Sequence, residues 1–510
     1  MNRTGPGEII FAAAGSPLLQ DVLQRHKQSV ALAIMLRERA WFEIDLIAAA
    51  HRYGAKIERI DHHLAHAWCA AFLSGFKQGT VVTADGQGDE ISTAAWRLQN
   101  GTLVQRWSAP IADGSAGFFF AAITELLGYR RLQDEGKVTA LAAGGHPCAE
   151  LAKLMSQALR LEPAKSGKFR LRVSGSAVRS WTRDSPLYTQ SWAQQLRRFE
   201  PRDIAFSAQR RLEEVMVDLV SRTLASRADG QLALAGGLFA NVSLNRKIAE
   251  IPNLRHLFVS PPMGDEGTAI GAAAAVANKL GIEVAPCRSM FLGTSIAQRE
   301  PAIAANALPG WTLRTNSPEQ TAHLAARLLA SGQLVARCAG PAEFGPRALG
   351  NRSLFCRPND PTCREWLNQN LGRDSIMPFS PCIRTEDLAE IACGPARGPA
   401  TFDYMTIAVP VRPKFRRSCA GVVHIDGTVR LQSVSRTAAP ALWELLGHFT
   451  ELTGLPALLN TSLNRHGEPI CRTLTDALMC AAISGIDYVL CGDSFIFCRG
   501  NAVKSSRIAG

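Results

Sequence analysis

Residues 80–89 read Thr-Val-Val-Thr-Ala-Asp-Gly-Gln-Gly-Asp, and this stretch gives the clearest indication of the fold. Its apolar first half, residues 80–84, has the pattern of a buried strand and is predicted to end at Asp85 in a glycine-rich turn. A second apolar run, residues 232–235, ends at Gly236-Gly237. Between the two runs, apolar residues recur at helical spacing from Leu212 to Leu224. Strands and helices that alternate in this way indicate an α/β fold.

A second unit of the same kind is predicted to begin near residue 311. A helical pattern over residues 318–330 leads into a strand-like run at residues 334–336 and then into Gly340-Pro341. The segment 282–310 is rich in proline, alanine and glycine and has little periodicity. For a chain of 510 residues we expect two or three domains. We therefore predict domains at residues 1–310 and 311–510.

The composition is that of an ordinary globular enzyme, with 46% hydrophobic and 20% charged residues. No apolar run approaches the roughly 18 residues of a membrane span, and no signal peptide is evident, so we predict no membrane association. The 13 cysteines include no Cys-x-x-Cys pair, which indicates reduced thiols and a cytoplasmic location. The net charge of +12 suits nucleic acid, small anionic substrates or a solvated basic face. No nucleic-acid-binding motif is present, so we expect no nucleic-acid partner.

The segment Asp61-His62-His63-Leu64-Ala65-His66 opens an apolar helical stretch. On a helix, His62 and His66 share a face and can bind one transition-metal ion, although such pairs also occur as core or capping residues. Asp85 at a strand end and Asp265 at the start of an alanine-rich helix are placed to project into one crevice. These four residues are the candidate metal ligands.

Several turns have the character of ligand-binding loops. Glycine-rich turns at a helix start free backbone N–H groups for a phosphate, although each turn alone is also typical of ordinary caps. One polar turn and two glycine-rich turns are candidates for binding a ligand, through Asp134, Lys137, Gly236, Gly237, Asn241 and Gly264. Residues 343–353, Glu-Phe-Gly-Pro-Arg-Ala-Leu-Gly-Asn-Arg-Ser, place two arginines in a constrained loop that can hold an anion. Later polar turns complete the candidate anion site, which comprises Arg347, Arg352, Arg430, Asn460 and Ser462.

Taken in order, these stretches resemble the O-carbamoyltransferase family of the NodU/CmcH type. The stretches that match the family are IDHHLAHAWCAAF, TADGQGDE, DEGKVTALA, AGGLFAN, PPMGDEGTAIGAA, EFGPRALGNRS, HIDGTVRLQ and LLNTSLNRHGEPI. They extend from residue 60 to about residue 495, and EFGPRALGNRS and LLNTSLN are the most specific. The resemblance implies an actin-like ATPase domain followed by a YrdC-like domain.

The resemblance also implies an activity. The second domain would form carbamoyl adenylate from carbamoyl phosphate and ATP. The first would transfer the carbamoyl group to a hydroxyl of a small molecule, such as a secondary metabolite or a sugar, with the help of a metal ion. By the family's motifs, Fe²⁺ would be bound by His62, His66, Asp85 and Asp265, while Mg²⁺ would accompany ATP. Catalysis would involve Asp265 and, as a base, His63.

The resemblance assigns the remaining candidates as well. The AGGLFAN and GDEG turns, with Asp134 and Lys137, would hold the adenylate. Arg347 and Arg430, with Asn460 and Ser462, would hold carbamoyl phosphate or the phosphates of ATP. Alternative functions are tRNA carbamoyl-adenosine modification and a degenerate member that binds a nucleotide or a partner without catalysis.

The sequence departs from the family pattern in two places. Nothing in residues 1–59 matches the family's opening β-hairpin, so we expect a first domain that lacks it. Either the true start lies upstream, or a partner or a homo-oligomer supplies the hairpin, or the first site is impaired. Residues 8–13 could form one remaining strand. In the second domain, an expected lysine and arginine fall on Leu371 and Met377, and Arg373 or Arg384 could compensate.

Overall fold

The structure, a computed structural model, describes residues 8–11, 30–34, 50, 52–164, 169–180, 185–224, 230–287, 289–297, 300–372, 379–395, 397–398 and 401–500. It divides into two units, Met1–Arg288 with Arg397–Thr401, and Ser289–Ala396 with Phe402–Gly510.

The division between the units lies upstream of the predicted boundary at residue 310. Backbone pairing explains the difference, because the N–H of Gly293 donates to the carbonyl of Ala342 at 2.9 Å and that of Phe344 donates to Met290 at 2.7 Å. These bonds attach the segment 289–297 to the second unit, although its composition resembles that of a linker.

The first unit contains two main sheets. The smaller is a parallel sheet of β1 (Glu8–Phe11), β2 (Val30–Ile34) and β3 (Lys56–Arg59) in that order. β1 confirms the strand expected within residues 8–13, of which residues 12 and 13 lie outside the described residues. The other strands of this unit are β4 (Gln78–Gly88), β5 (Ile91–Gln99), β6 (Thr102–Pro110), β7 (Leu159–Pro163), β8 (Phe169–Val173), β9 (Gln231–Ala235) and β10 (His256–Val259).

The larger sheet has the order β10-β9-β4-β5-β6. Strands β4, β5 and β6 form an antiparallel meander, whereas β9 and β10 continue the sheet in parallel from β4. Strands β7 and β8 form a separate two-stranded ribbon. The predicted strands at 80–84 and 232–235 are confirmed, although β4 continues beyond Asp85 to Gly88.

The helices of the first unit follow the apolar periodicity of the sequence. The long helix between β8 and β9 buries Leu212, Val215 and Leu219, as their spacing predicts. The helices are α1 (His62–Ser74), α2 (Ala116–Leu126), α3 (Glu135–Ala142), α4 (Ala149–Ala158), α5 (Gln190–Leu196), α6 (Pro201–Leu224), α7 (Val242–Ala249) and α8 (Glu266–Lys279). No helix in the described part of the chain is both long and apolar enough to cross a membrane.

The second unit is built on one eight-stranded mixed sheet of order β11-β20-β19-β12-β13-β18-β14-β17, and β15 and β16 form a separate ribbon. Its strands are β11 (Trp311–Thr315), β12 (Val335–Cys338), β13 (Arg352–Cys356), β14 (Ser380–Arg384), β15 (Ala408–Pro410), β16 (Thr428–Arg430), β17 (Gln432–Val434), β18 (Leu458–Ser462), β19 (Tyr488–Cys491) and β20 (Phe495–Arg499).

The helices of the second unit complete an α/β architecture, so the predicted fold class is confirmed at that level. They are α9 (Glu300–Ala307), α10 (Pro318–Ala330), α11 (Pro361–Asn370), α12 (Leu388–Ile391), α13 (Pro413–Ser418), α14 (Pro440–Thr453) and α15 (Leu474–Ser484). α10 has the predicted bounds because Ser317 and Gln320 form a reciprocal cap at its start.

Candidate functional site

The first candidate site lies where helices α1 and α8 meet the end of strand β4. α1 begins at His62, so His62 and His66 lie on one face one turn apart, and both side chains are buried. A Cβ atom at Gly271 of α8 would lie 1.7 Å from the carbonyl oxygen of Ala65 in α1. Glycine at this position therefore lets the two helices approach closely, and Asp265, the N-cap of α8, is carried to the same place.

The histidine and aspartate side chains converge at this junction. The Nε2 atoms of His62 and His66 are 3.1 Å apart. Asp85 Oδ2 lies 3.4 Å from Nε2 of His62 and 3.2 Å from Nε2 of His66. Asp265 Oδ1 lies 3.6 and 3.7 Å from the same two atoms. The ligand atoms of the four residues all lie within 4.8 Å of one another, so the structure brings together the whole predicted set.

A local irregularity of β4 places Asp85 in this cluster. The pairing of β4 with β5 is interrupted between Ala84 and Gly88, so Asp85 lies in a bulge instead of at a strand end. Asp85 Oδ1 accepts from the N–H of Gly86 at 2.7 Å. At Gly88, an added Cβ would lie 2.1 Å from Cδ2 of His62. Any residue larger than glycine at this position would therefore clash with the imidazole.

The close contacts of this mostly buried cluster shift the pKa values of Asp85 and His66. Burial alone raises the pKa of Asp85, but its contacts with His62 and His66 outweigh burial and hold that pKa well below its usual range. Burial lowers the pKa of His66, whereas Asp265 and Asp85 raise it by more. The Nδ1 atoms of His62 and His66 are buried and have no hydrogen-bond partner among the described residues.

The donor set fits a transition-metal ion. Two imidazole nitrogens and two carboxylate oxygens suit Fe²⁺ or Zn²⁺. A tetrahedral ion with bonds of about 2.0–2.1 Å separates its ligand atoms by about 3.3 Å, close to the distances between the histidine nitrogens and their neighbours in this cluster. The fit rests on distance and chemistry together.

His63 is not placed to act as a base at this cluster, which corrects the expectation from the sequence. Its Nε2 lies 3.0 Å from the carbonyl oxygen of Ile91 and its Nδ1 lies 2.9 Å from the hydroxyl of Thr83. Because a carbonyl only accepts, Nε2 carries the proton and Nδ1 accepts from Thr83. Burial, with the nearby histidines, lowers the pKa of His63 to about 3. His63 therefore holds α1 against strands β4 and β5.

Two of the predicted glycine turns border the cluster. Gly236 has a φ of 104° and lies against the backbone of Ala84, where an added Cβ would be 2.2 Å from its carbonyl oxygen. A Cβ at Gly237 would be 3.2 Å from Oδ1 of Asp85. Gly264 directly precedes Asp265, and its N–H lies 3.3 Å from Oε1 of Glu266. Gly236 and Gly237 therefore bring main chain close to Asp85 with no side chain between them, and Gly264 does so beside Asp265.

The side chain of Asn241 has another function. Its Oδ1 caps α7 by accepting from the N–H of Leu244 at 3.0 Å, and its Nδ2 donates to Oε1 of Gln209 at 2.7 Å. The amide of Gln209 donates back to Asn241 at 3.0 Å. Because these bonds engage both ends of the amide, Asn241 shapes the turn, and its contact with an adenylate stays a prediction.

Asp134 and Lys137 lie together at the start of α3. Lys137 Nζ is 3.4 Å from Oδ1 of Asp134, and Arg130 Nε donates to Oδ2 of the same carboxylate at 3.1 Å. Burial raises the pKa of Asp134, but the contacts with Arg130 and Lys137 lower it by more. The structure thus places this predicted pair in an ion-pair cluster with Arg130.

The second candidate site lies in the second unit, around strands β13, β18 and β14. Asn460 of β18 is buried, and its Nδ2 donates to Oε1 of Gln432 at 2.7 Å and to the carbonyl of Ala348 at 3.3 Å. Arg430 donates from Nε to Oγ of Ser380, 2.8 Å away, and Ser380 is the β14 residue paired with Asn460.

Arg347 belongs to the same site, because it precedes Ala348. Burial lowers the pKa of its guanidinium, and its Nε is buried without a hydrogen-bond partner among the described residues. Arg347 thus directly precedes Ala348, whose carbonyl accepts from Asn460, and Arg430 is joined to Ser380, the residue paired with Asn460. A buried guanidinium N–H without a protein acceptor is suited to an anionic ligand.

Arg352 was also expected to bind phosphate, and the structure shows otherwise. It is fully buried on β13, and its guanidinium donates only to backbone carbonyls in the bonds that the structure shows. The acceptors are Ala339 at 2.6 Å, Asn351 at 3.0 Å, Thr294 and Arg472 at 3.2 Å, and Gly340 at 3.3 Å. Arg352 therefore fixes the main chain around the loop instead of contacting a ligand.

Comparison with known proteins shows the family to which the chain belongs. Residues 16–274 match the family described as Carbamoyltransferase N-terminus, and residues 326–497 match Carbamoyltransferase C-terminus. The chain belongs to the carbamoyltransferase family.

Three relatives show the range of this family. Nodulation protein NolNO of Sinorhizobium fredii is 32% identical over 87% of this chain and 64% of its own length. Nodulation protein NolO of Bradyrhizobium diazoefficiens is 31% identical, over 85% of this chain and 78% of its own. The 3'-hydroxymethylcephem-O-carbamoyltransferase of Amycolatopsis lactamdurans is 28% identical, over 72% of this chain and 66% of its own. The chain thus spans about two thirds of the length of two of these carbamoyltransferase relatives.

The departures from the carbamoyltransferase pattern are only partly described. Leu371 is fully buried at the end of α11, whereas Arg373 and Met377 lie outside the described residues. The guanidinium of Arg384 lies 3.9 Å from the ring centre of Trp443, and its Nε donates to the Trp443 carbonyl at 3.1 Å. Ser462 Oγ donates to Oδ1 of Asn464 at 2.6 Å, at the end of β18.

Sequence reasoning missed two residues next to the second candidate site. Glu343 Oε1 accepts from the N–H groups of Leu349 and Asn351, at 2.7 and 2.8 Å, and so shapes the loop that carries Arg347. His424 Nε2 is buried without a hydrogen-bond partner among the described residues. Both residues lie in stretches that match the family, EFGPRALGNRS and HIDGTVRLQ, and a polar residue flanking a glycine turn was the available signal.

Proposed function

We propose that this protein is an O-carbamoyltransferase that consumes ATP and carbamoyl phosphate and carbamoylates a hydroxyl group of a small molecule. The observation that carries the proposal is the convergence of His62, His66, Asp85 and Asp265 in a chain of the carbamoyltransferase family. The cephem relative is named for O-carbamoyl transfer, and this supports a hydroxyl acceptor here.

The proposed reaction has two stages. Carbamoyl phosphate, ATP and water give carbamoyl adenylate, pyrophosphate and phosphate. The hydroxyl oxygen of the acceptor then attacks the carbamoyl carbon, AMP leaves with the bonding electron pair, and the hydroxyl proton passes to solvent or a base. We assign the first stage to the second unit, as a YrdC-like domain, and the second stage to the first unit, as an actin-like domain.

In the second unit, Arg347 and Arg430 would balance the charge of the phosphate groups. The Nε of Arg347, which has no hydrogen-bond partner in the part of the chain that the structure describes, supports this role, since buried guanidinium groups are commonly paired with anions. Glu343 would keep the Arg347 loop in shape through its backbone N–H contacts. Asn460 would line the same place from β18.

In the first unit, His62, His66, Asp85 and Asp265 would hold a divalent metal, Fe²⁺ by resemblance to the family. Such an ion, when bound, supplies Lewis-acid stabilisation of negative charge on the carbonyl oxygen. The turns at Gly236 and Gly237 would bring backbone close to the adenylate phosphate, because neither residue has a side chain to exclude it.

Carbamoyl-phosphate-dependent release of pyrophosphate from ATP tests the proposal. The full chain, loaded with Fe²⁺ and supplied with Mg²⁺, is expected to release pyrophosphate only when carbamoyl phosphate is present. The variant Arg347→Ala, which removes this guanidinium, is expected to release pyrophosphate more slowly while its thermal midpoint changes little. Absence of release from the wild type, beside an active relative, would refute adenylate formation by this chain.

A further inference from the structure

The first turn of α1 is held by an acidic residue from another part of the chain. Asp61 is the N-cap of α1, but its side chain makes no capping hydrogen bond in the part of the chain that the structure describes. Instead, Oδ2 of Asp89 accepts a hydrogen bond from the N–H of His62 at 2.9 Å. The first N–H groups of a helix have no partner within the helix, and a carboxylate beside them also interacts favourably with the helix dipole. Asp89 therefore supplies the cap that Asp61 does not.

The position of Asp89 in the sheet makes this contact specific to the metal cluster. Asp89 and Glu90 form the turn between β4 and β5, since Gly88 pairs with Ile91. Asp89 has a φ of 54°, in the left-handed region that aspartate, asparagine and glycine adopt more readily than other residues. The same hairpin carries Asp85 in its bulge. The residue that caps α1 is therefore only a few positions along the chain from one of the candidate metal ligands.

The hydrogen bond from His62 to Asp89 links two elements of the candidate metal centre. Its donor is the main chain of His62, whose Nε2 lies 3.4 Å from Oδ2 of Asp85. Histidines that bind metals are usually oriented by a hydrogen bond from their second ring nitrogen. The Nδ1 of His62 is buried and has no such partner among the described residues. The orientation of His62 therefore depends on its backbone, which Asp89 holds, and on its close contact with Gly88.

We propose that Asp89 is a positioning residue of the metal centre, whose carboxylate fixes the main chain of His62 against the β4–β5 turn and so sets the distance between His62 and Asp85. This inference rests on the proposed function, since it concerns the residues that would hold the metal there. Helix ends fray, and a first turn without its cap has more freedom to move. The role requires an acceptor oxygen at this place and does not require a negative charge.

Two variants of the full chain test this role, with Co²⁺ as the probe because it binds the same ligand types as Fe²⁺. Asp89→Gly removes the carboxylate but permits a φ of 54°, so it adds no backbone strain. We expect its affinity for Co²⁺, measured by competition with a chelator, to fall about tenfold or more. Asp89→Asn keeps an oxygen acceptor and tolerates the same φ, so it should retain most of the affinity.

Thr189→Ala is the matched control, because it removes a side-chain cap from another helix of the first unit. Thr189 Oγ1 accepts from the N–H of Trp192 at the start of α5. This variant should lower the thermal midpoint but leave the affinity for Co²⁺ unchanged. Equal affinities in the wild type and in Asp89→Gly would overturn the inference. An equal loss in Thr189→Ala would also overturn it, by showing general destabilisation, as would an equal loss in Asp89→Asn, by showing an effect of charge alone.

These measurements separate this inference from the proposed function. If Asp89→Gly weakens Co²⁺ binding but the wild type releases no pyrophosphate from ATP, the proposed function fails and the role of Asp89 stands. If the wild type releases pyrophosphate but binds Co²⁺ no more tightly than Asp89→Gly does, the proposed function stands and this inference fails. A wild type that binds no Co²⁺ would overturn both the role of Asp89 and the metal centre.

Discussion

The Nε2 atoms of His62 and His66 lie 3.1 Å apart at the first turn of α1. At this distance one neutral imidazole can donate a hydrogen bond to the other. Asp85 Oδ2 also lies within 3.4 Å of both nitrogens, and Asp265 Oδ1 lies within 3.7 Å of them. Four ligand atoms directed at one point are expected where a cation binds. The glycines around this cluster provide the room that the imidazoles and the helix contact require.

Replacement of Gly88 should weaken metal binding through His62. In Gly88→Ala the new Cβ would lie 2.1 Å from Cδ2 of His62, so the ring must move away from Asp85. We expect metal affinity to fall about 10-fold or more, as for other changes that misorient a ligand. Gly175→Ala is the matched control, because a Cβ there meets nothing within 4 Å. Equal metal affinity in the two variants, measured by competition with a chelator, would argue against the predicted role of Gly88.

Replacement of Arg347 should affect mainly activity, whereas replacement of Arg352 should affect mainly stability. Arg347→Ala should lower pyrophosphate release by about 10- to 100-fold with little change in thermal midpoint, since it removes a charged ligand contact. Arg352→Met should lower the thermal midpoint by about 6–12 °C, because several buried carbonyls lose their donor. Thermal unfolding and the pyrophosphate assay on both variants check this division. The reverse pattern would place the ligand at Arg352.

His424 should make stability sensitive to acid. Burial, Arg430 and Arg364 lower the pKa of His424, whereas Asp426 raises it. The net effect lowers that pKa to about 4 from the ordinary 6.5. Between these values the unfolded chain binds more protons than the folded chain. The contribution of neutral His424 is therefore complete above pH 6.5 and is lost as the pH falls towards 4.

The variant His424→Gln has no titrating group at this position. Between pH 6.5 and 4 the thermal midpoint of the wild type should fall further than that of the variant. The two decreases should differ by about 3 °C or more. Differential scanning calorimetry at several pH values measures both curves. Parallel curves for the two proteins would show that His424 does not titrate in this window.

Local patterns in the sequence predicted a substantial part of the fold and of the first cluster. The i,i+4 spacing of His62 and His66 and the strand at residues 80–84 both follow from short-range periodicity. Asp265 follows from a glycine-rich helix start. The bulge at Asp85 did not follow, because it arises from the pairing of β4 with β5. Pairing registers are long-range properties that one strand does not encode.

The misassigned residues share a cause. His63 and Arg352 have residue types typical of sites, yet their polar atoms are satisfied by distant backbone carbonyls, of Ile91 for His63 and of Thr294 and Arg472 for Arg352. Conversely, the Nδ2 group of Asn460 donates to Gln432 and to the carbonyl of Ala348, neither of which is close to Asn460 in the sequence. Whether a polar group is satisfied or left for a ligand is decided by tertiary contacts.

The metal content of the purified chain tests the central claim most directly. After loading with Fe²⁺ without oxygen and removal of free ion, elemental analysis should find about one metal ion per chain in the wild type. The double variant His62→Ala/His66→Ala should retain little of it, and His63→Gln, which changes the neighbouring structural histidine, should retain most. Equal metal content in the wild type and in the double variant would contradict the assignment of His62, His66, Asp85 and Asp265 as the metal centre.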